Sequence, residues 1–222
     1  MATIALDQPR RDAGRLRVIA EIAIPYGLLE IALWSRRPAQ LWWGIAMLVV
    51  VALLTLASRR SLRDLGLSRH GIECAIIVFP VTLAACALLL LTGWVFGWAH
   101  TIPISSRLFG AGYIVWAFVQ QFMAQSFYYL RFEELFGSKR AVWVSALLFS
   151  LAHVPNPVLM PATFIGGLGF SEAFRRWRNL YPIWLAHAAL GICVSATFPV
   201  LWTHQMRVGL GYFLLHIGVL SH

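Results

Sequence analysis

Two uninterrupted apolar runs restrict the fold more than any other feature. LWWGIAMLVVVALLTLA (41–57) and ECAIIVFPVTLAACALLLLTGWVFGWA (73–99) reach the roughly 17–25 residues with which a helix crosses bilayer hydrocarbon. Hydrocarbon offers backbone groups no water, so a spanning segment must satisfy its own hydrogen bonds as a helix or within a closed barrel. The runs are continuous rather than alternating, which selects helices. Five further stretches, at about 16–34, 109–130, 141–158, 160–174 and 180–201, read the same way. The sequence therefore predicts an all-α fold, a polytopic transmembrane helical bundle of about seven spans. Only 12% of residues are charged, against about 25% in a soluble domain. The basic N-terminus leads into 16–34 with no small-residue cleavage site, so no cleavable signal peptide is expected.

The net charge of +9 invites a nucleic-acid reading, and the placement of the charges argues against it. With the N-terminus in the cytoplasm, 14 of the 18 Lys and Arg residues fall on the cytoplasmic side: Arg10, Arg11, Arg15, Arg17, Arg59, Arg60, Arg63, Arg69, Arg131, Lys139, Arg140, Arg175, Arg176 and Arg178. The other four are Arg36, Arg37, Arg107 and Arg207. This is the positive-inside bias of a multi-pass protein. It predicts a cytoplasmic N-terminus (in the inner membrane, for a Gram-negative cell), membrane lipid as the partner of the basic residues, and no nucleic acid. Cys74, Cys86 and Cys193 lie in or beside apolar spans without metal-site spacing, and are expected to pack.

Residues 1–15 form a polar cytoplasmic N-terminus, 16–107 an N-terminal transmembrane region, 108–201 a core that holds most of the polar signals, and 202–222 a tail. SRRSLRDLGLSRHG (58–71) is basic and partly amphipathic, as expected of a connection at the membrane surface. HTIPISSR (100–107) divides the chain, and the prolines of HVPNPVLMP (153–161) end one helix and start another. The apolar part of 206–222 is short for a span and is expected to be interfacial or re-entrant.

Polar side chains in hydrocarbon face the bundle interior and partner one another. Gln121 and Gln125 are four apart and share a helix face, with Gln120 about 100° round. His153 closes VWVSALLFSLAH four residues after Phe149, and His187 lies within NLYPIWLAHAALG. At ~1.5 Å per residue, Gln121, His153 and His187 reach similar depths, so three helices can direct amides and imidazoles to one interior site. Each histidine alone reads equally well as a helix–helix hydrogen-bonding group. Glu133 and Glu134, close to Arg131, Lys139 and Arg140, read as a solvated helix end. Glu172 precedes Arg175 and Arg176 by three and four residues, the spacing of helix ion pairs, with a site carboxylate as the other reading. Glu21, Glu30 and Glu73 are expected to pair with arginines near helix ends, and Trp42, Trp43, Trp177 and Trp184 fit interfacial belts.

The order of these signals over about 112–200 resembles the CPBP family, the membrane proteins related to CAAX prenyl endopeptidases and to bacteriocin-processing and immunity (Abi) proteins. That family shows EExxxR, then FxxxH, a Gly-containing helix and HxxxN. FSLAH (149–153) matches FxxxH, FIGGLG (164–169) resembles the third motif, and HAALG (187–191) matches the last at its histidine; DLGL (64–67) adds an upstream match. Aligned on FSLAH, the family's EExxxR falls on Gln120, Gln121 and Gln125, its asparagine falls on Gly191, and Glu133-Glu134 lies 13 residues too late. The resemblance implies His153 and His187 as catalytic groups, with Gln120, Gln121, Gln125 and Phe149 lining the site.

The resemblance also implies an endopeptidase acting on prenylated or membrane-embedded peptides. The residues speak against hydrolysis. A glutamine amide cannot take a proton from water and is a poor metal ligand, and two histidines fall short of the three protein ligands of catalytic zinc. No metal or cofactor is therefore expected. Two alternatives stay open on the same fold: a lipid- or isoprenoid-modifying enzyme with His153 or His187 as acid or base, and a non-catalytic binding or scaffold protein. Retained histidines favour chemistry, and lost carboxylates favour binding.

Overall fold

In the computed structural model, which describes residues 8–99 and 107–220, the greater part of each of those apolar stretches is helical and the described residues contain no strand. Helix α1 (Gln8–Leu33) and α2 (Ala39–Ala57) form a hairpin. A 3₁₀ turn (Ile72–Cys74) leads into α3 (Ala75–Val95). Helix α4 (Arg107–Gln121) continues through a π-helical stretch (Phe122–Tyr129) into α5 (Leu130–Phe136). Then follow α6 (Ser138–Leu151), α7 (Leu159–Trp177), α8 (Tyr181–Thr197), the short α9 (Val200–Thr203), a 3₁₀ turn (His204–Met206) and α10 (Leu210–Leu220). Residues 1–7 and most of HTIPISSR lie outside the described residues.

Two segments, α2 and Ile72–Val95, are long and apolar enough to cross a membrane by length and composition, and only 11% of the most apolar window of each is buried. A soluble core helix would hide such a surface. Here Leu53, Leu56, Ile76, Leu83, Leu88 and Trp94 all point outward, an apolar area that water does not tolerate in this extent.

The helices gather at two ends. At the first, Arg60 pairs with Glu134, Arg178 holds both Glu133 oxygens at 2.6 Å, and Arg131 Nε donates to Glu21 at 3.0 Å. The 58–71 connection is clamped there: Ser126 Oγ donates to Leu65 O at 2.7 Å, Asn179 Nδ2 to His70 O at 2.7 Å, and Tyr181 Oη to Leu67 O at 3.0 Å. Gly71 has φ +72°, and a Cβ there would run into the Trp177 carbonyl, so the turn can close only around glycine. Asp64 sits on this exposed rim, where the Ser61 hydroxyl holds its carboxyl below the usual carboxylate range. At the second end, Asn156 Nδ2 donates to Thr203 O at 2.7 Å and Arg207 O at 3.0 Å, and its Oδ1 accepts from Leu159 N at 3.0 Å, capping α7. Trp34 packs on Phe213 there. Helices α3 and α8 run parallel, with Leu67 against Tyr181 at one end and Gly93 against Thr197 at the other. Between the ends lies an apolar core that includes Met47, Val51, Phe127, Tyr129, Phe174 and Ile183.

Candidate functional site

A chamber of about 300 Å³ opens between α1, the α4–π helix, α6, α7, α8 and the tail. Its wall is largely aromatic and aliphatic, with Gln120, Tyr128, Ser145, His153, Thr163 and His187 as polar points. The α4–π helix supplies Tyr113, Trp116, Gln120, Met123, Ala124 and Tyr128. These positions share a face because they recur every three to four residues. The π-helical stretch gives up regular α hydrogen bonding here, as such stretches often do at functional sites. Helix α7 can approach α6 because Gly167 faces Ala146, where an added Cβ would stand 3.1 Å from Ala146 Cα.

His153 lies just beyond α6 and folds back on its own turn, with Nδ1 2.7 Å from Phe149 O. A carbonyl only accepts, so Nδ1 carries the hydrogen and Nε2 of the neutral ring is left as an acceptor. His187, on α8, has Nδ1 2.6 Å from Gln121 Nε2. An amide NH₂ only donates, so Nδ1 of His187 is the acceptor and its hydrogen sits on Nε2. The two rings are thus held in opposite tautomers, one offering an acceptor and the other a donor. Phe149 stands between them, 5.0 Å from the His153 ring and 5.6 Å from that of His187, and Phe170 stacks on His187 at 5.9 Å.

Gln120, Phe149, His153 and His187 all reach the chamber. Gln121 and Gln125 stand behind its wall, 0% and 1% exposed. Gln121 orients His187, and Gln125 Nε2 supports Gln121 Oε1 at 3.4 Å. Glu133 and Glu134 are engaged by Arg178 and Arg60 at the first end, and Glu172 is held by Arg175 at 2.7 Å and by Arg176. Glu21 pairs with Arg17 and Arg131, while Glu30 accepts from Trp34 Nε1 at 3.2 Å.

Sequence reasoning passed over several groups. Tyr128 Oη and Ser145 Oγ are buried, line the chamber, and have no hydrogen-bond partner among the described residues. Such orphans are uncommon in a packed interior. Tyr113 is the other omission. A Cβ at Gly191 would overlap its Oη and stand 2.6 Å from its Cζ. The tyrosine thus occupies the space that a side chain at 191 would take, and its ring lies 6.5 Å from His187. A lone glycine in a helix 78 residues away is the only hint of this contact in the sequence. Gln205, Met206 and Val208 of the tail also line the chamber, brought there by the Asn156 clamp.

Among the described residues, none that lines the chamber is Asp or Glu, and no three His, Cys, Asp or Glu side chains converge as a metal site. With His153 Nδ1 turned to a carbonyl and His187 Nδ1 to an amide, only two ring nitrogens remain, one short of a three-ligand zinc centre. The donor set does not fit a catalytic zinc.

Comparison with known proteins bears on this geometry. Residues 103–193, which contain Gln120, Gln121, His153 and His187, match the family model described as type II CAAX prenyl endopeptidase Rce1-like. No curated protein and no solved structure matches the chain significantly. Residues 103–193 are thus a CAAX-protease-like segment, similar to the membrane-embedded Rce1-like family and carried beside two helices able to cross a membrane.

Proposed function

We propose that this chain is a multi-pass membrane protein, with about seven spans and a cytoplasmic N-terminus, that uses the CAAX-protease-like framework to bind a ligand and does not hydrolyse peptides. The observation that carries this reading is the 2.6 Å contact from Gln121, behind the wall, to His187, in a chamber that no carboxylate among the described residues lines. In the register read from FSLAH, Gln120, Gln121 and Gln125 replace the family's EExxxR. The change is coherent, because an arginine kept there without a carboxylate would be a buried unpaired charge. The sidedness is supported by the two ends of the bundle: the end built from 58–71, 131–140 and 175–181 carries the abundant Lys and Arg.

The ligand that fits is mainly apolar, with a carbonyl, amide or hydroxyl near one end. Aromatic and aliphatic walls take its body. His187 Nε2–H, the Tyr128 and Ser145 hydroxyls and the Gln120 amide can donate to it, and His153 Nε2 can accept. A membrane lipid, an isoprenoid or the prenyl part of a peptide meets that description. The retained histidines support a second reading, a lipid- or isoprenoid-modifying enzyme in which His153 is the base and His187 the acid. The test is native mass spectrometry of the detergent-purified chain, with extraction and identification of bound lipid. The expected result is a retained apolar ligand, lost when Tyr128→Phe and Ser145→Ala are combined. A ligand-free chain that cleaves prenylated peptides would overturn the reading.

A further inference from the structure

The charge bias leaves four exceptions, and three of them, Arg36, Arg37 and Arg207, line one groove of about 750 Å³ at the second end of the bundle. All three are exposed, and none forms an ion pair or side-chain hydrogen bond among the described residues. They come from the turn after α1 and from the tail, 170 residues apart. Asn156 brings the tail into place by gripping the Thr203 and Arg207 carbonyls, and Gly209 N donates to Val154 O at 2.8 Å. The turn that delivers Arg207 has three successive non-glycine residues at positive φ: His204 at 46°, Gln205 at 54° and Met206 at 61°. Side chains with a Cβ are disfavoured in the left-handed region, and such strain gathers at functional sites.

The groove is not separate from the chamber. Leu33, Met206 and Val208 line both. A molecule lying across these three side chains would have one part among guanidinium groups and the other in the apolar chamber, near the unpartnered hydroxyls of Tyr128 and Ser145. Three unpaired guanidinium groups at one mouth repel each other and favour an anion, and the planar fork of arginine suits phosphate oxygens.

We propose that the paired cavities bind a single phosphate-bearing amphiphile, with its headgroup held by Arg36, Arg37 and Arg207 and its hydrocarbon chain threaded past Leu33, Met206 and Val208 into the chamber. The inference rests on the chamber being a binding site, and it holds whether or not peptides are cleaved. It also accounts for basic residues on the side where the topology disfavours them.

The experiment uses the full chain in neutral detergent and measures the Kd of dioleoyl phosphatidic acid. Dioleoylglycerol keeps the chains without phosphate, dibutanoyl phosphatidic acid keeps the phosphate with short chains, and inorganic phosphate lacks chains altogether. Wild type should bind the long-chain phosphatidic acid at least ten-fold more tightly than each of the three. Combined Arg36→Gln, Arg37→Gln and Arg207→Gln should abolish the advantage over dioleoylglycerol while leaving the melting temperature unchanged, since these side chains hold no partner. Equal binding of the two long-chain lipids would overturn the headgroup site. Equal binding of the short-chain lipid or of inorganic phosphate would reduce the site to a surface anion groove and overturn the shared path. Peptide cleavage by a chain that keeps this arginine dependence would sink the non-proteolytic reading and leave the amphiphile site standing.

Discussion

Gly191→Ala should change the sign of its effect with the residue at position 113. In an exposed helix interior, alanine in place of glycine stabilises by about 1 kcal/mol. At position 191 the new Cβ would overlap Tyr113 Oη and stand 2.6 Å from Cζ and 3.0 Å from Cε1. Carbon atoms rest at about 3.5–4.0 Å, so the ring must withdraw by about 1 Å or more. Overpacking of this size costs roughly 1–3 kcal/mol, and direct overlap with a rigid ring belongs at the upper end. The net loss for Gly191→Ala is then about 1–2 kcal/mol, which for a chain of this length lowers the melting temperature by roughly 2–8 °C. Tyr113→Ala is itself destabilising, but it removes the overlap. Added to that background, Gly191→Ala should stabilise by up to about 1 kcal/mol. The assay is thermal unfolding in detergent for the four members of the cycle. A Gly191→Ala effect that is the same in both backgrounds would refute the packing of Tyr113 into the space above Gly191.

Gln121→Leu removes the donor to His187 and the acceptor for Gln125, and should cost about 1–3 kcal/mol in stability, read as a fall in melting temperature; an unchanged value would mean that Gln121 does not hold His187. Elemental analysis of the purified chain should find well under one zinc per chain, and stoichiometric zinc lost from both His153→Ala and His187→Ala would contradict the two-donor assignment. The folded pKa of Asp64 is depressed, chiefly by the Ser61 hydroxyl. Its contribution to stability is therefore present above its unfolded pKa and lost as pH falls through the folded one. Asp64→Asn should lower the melting temperature slightly at neutral pH and converge with wild type in acid, and a constant gap at all pH values would remove Asp64 as the titrating group.

The helices were legible because apolar runs leave a backbone little choice, and prolines and glycines mark the breaks. Glu133 and Glu134 were legible as a helix end from nearby basic residues, although their partners, Arg178 and Arg60, come from distant segments. The depth argument brought Gln121 near His187, but it could not distinguish a residue in the wall from one behind it. That choice depends on how α4 is turned about its axis in the packed bundle, which residue spacing alone leaves open. Its length makes the tail interfacial or re-entrant in sequence; in the structure Gln205, Met206 and Val208 line the chamber, held there through backbone carbonyls gripped by Asn156, and backbone acceptors are the same in every residue. Tyr113, Tyr128 and Ser145 look in sequence like ordinary span residues. Only packing shows that two of them have unmet hydrogen bonds and that the third fills the space above a glycine.

Whether this CAAX-protease-like framework binds without hydrolysing is decided by mass-spectrometric assay of a farnesylated peptide with a CAAX terminus. Wild type and His153→Ala would be incubated with it in vesicles. No product above protein-free vesicles is expected for either protein, because no carboxylate among the described residues lines the chamber to activate water. Product formed by wild type and abolished in His153→Ala would contradict it.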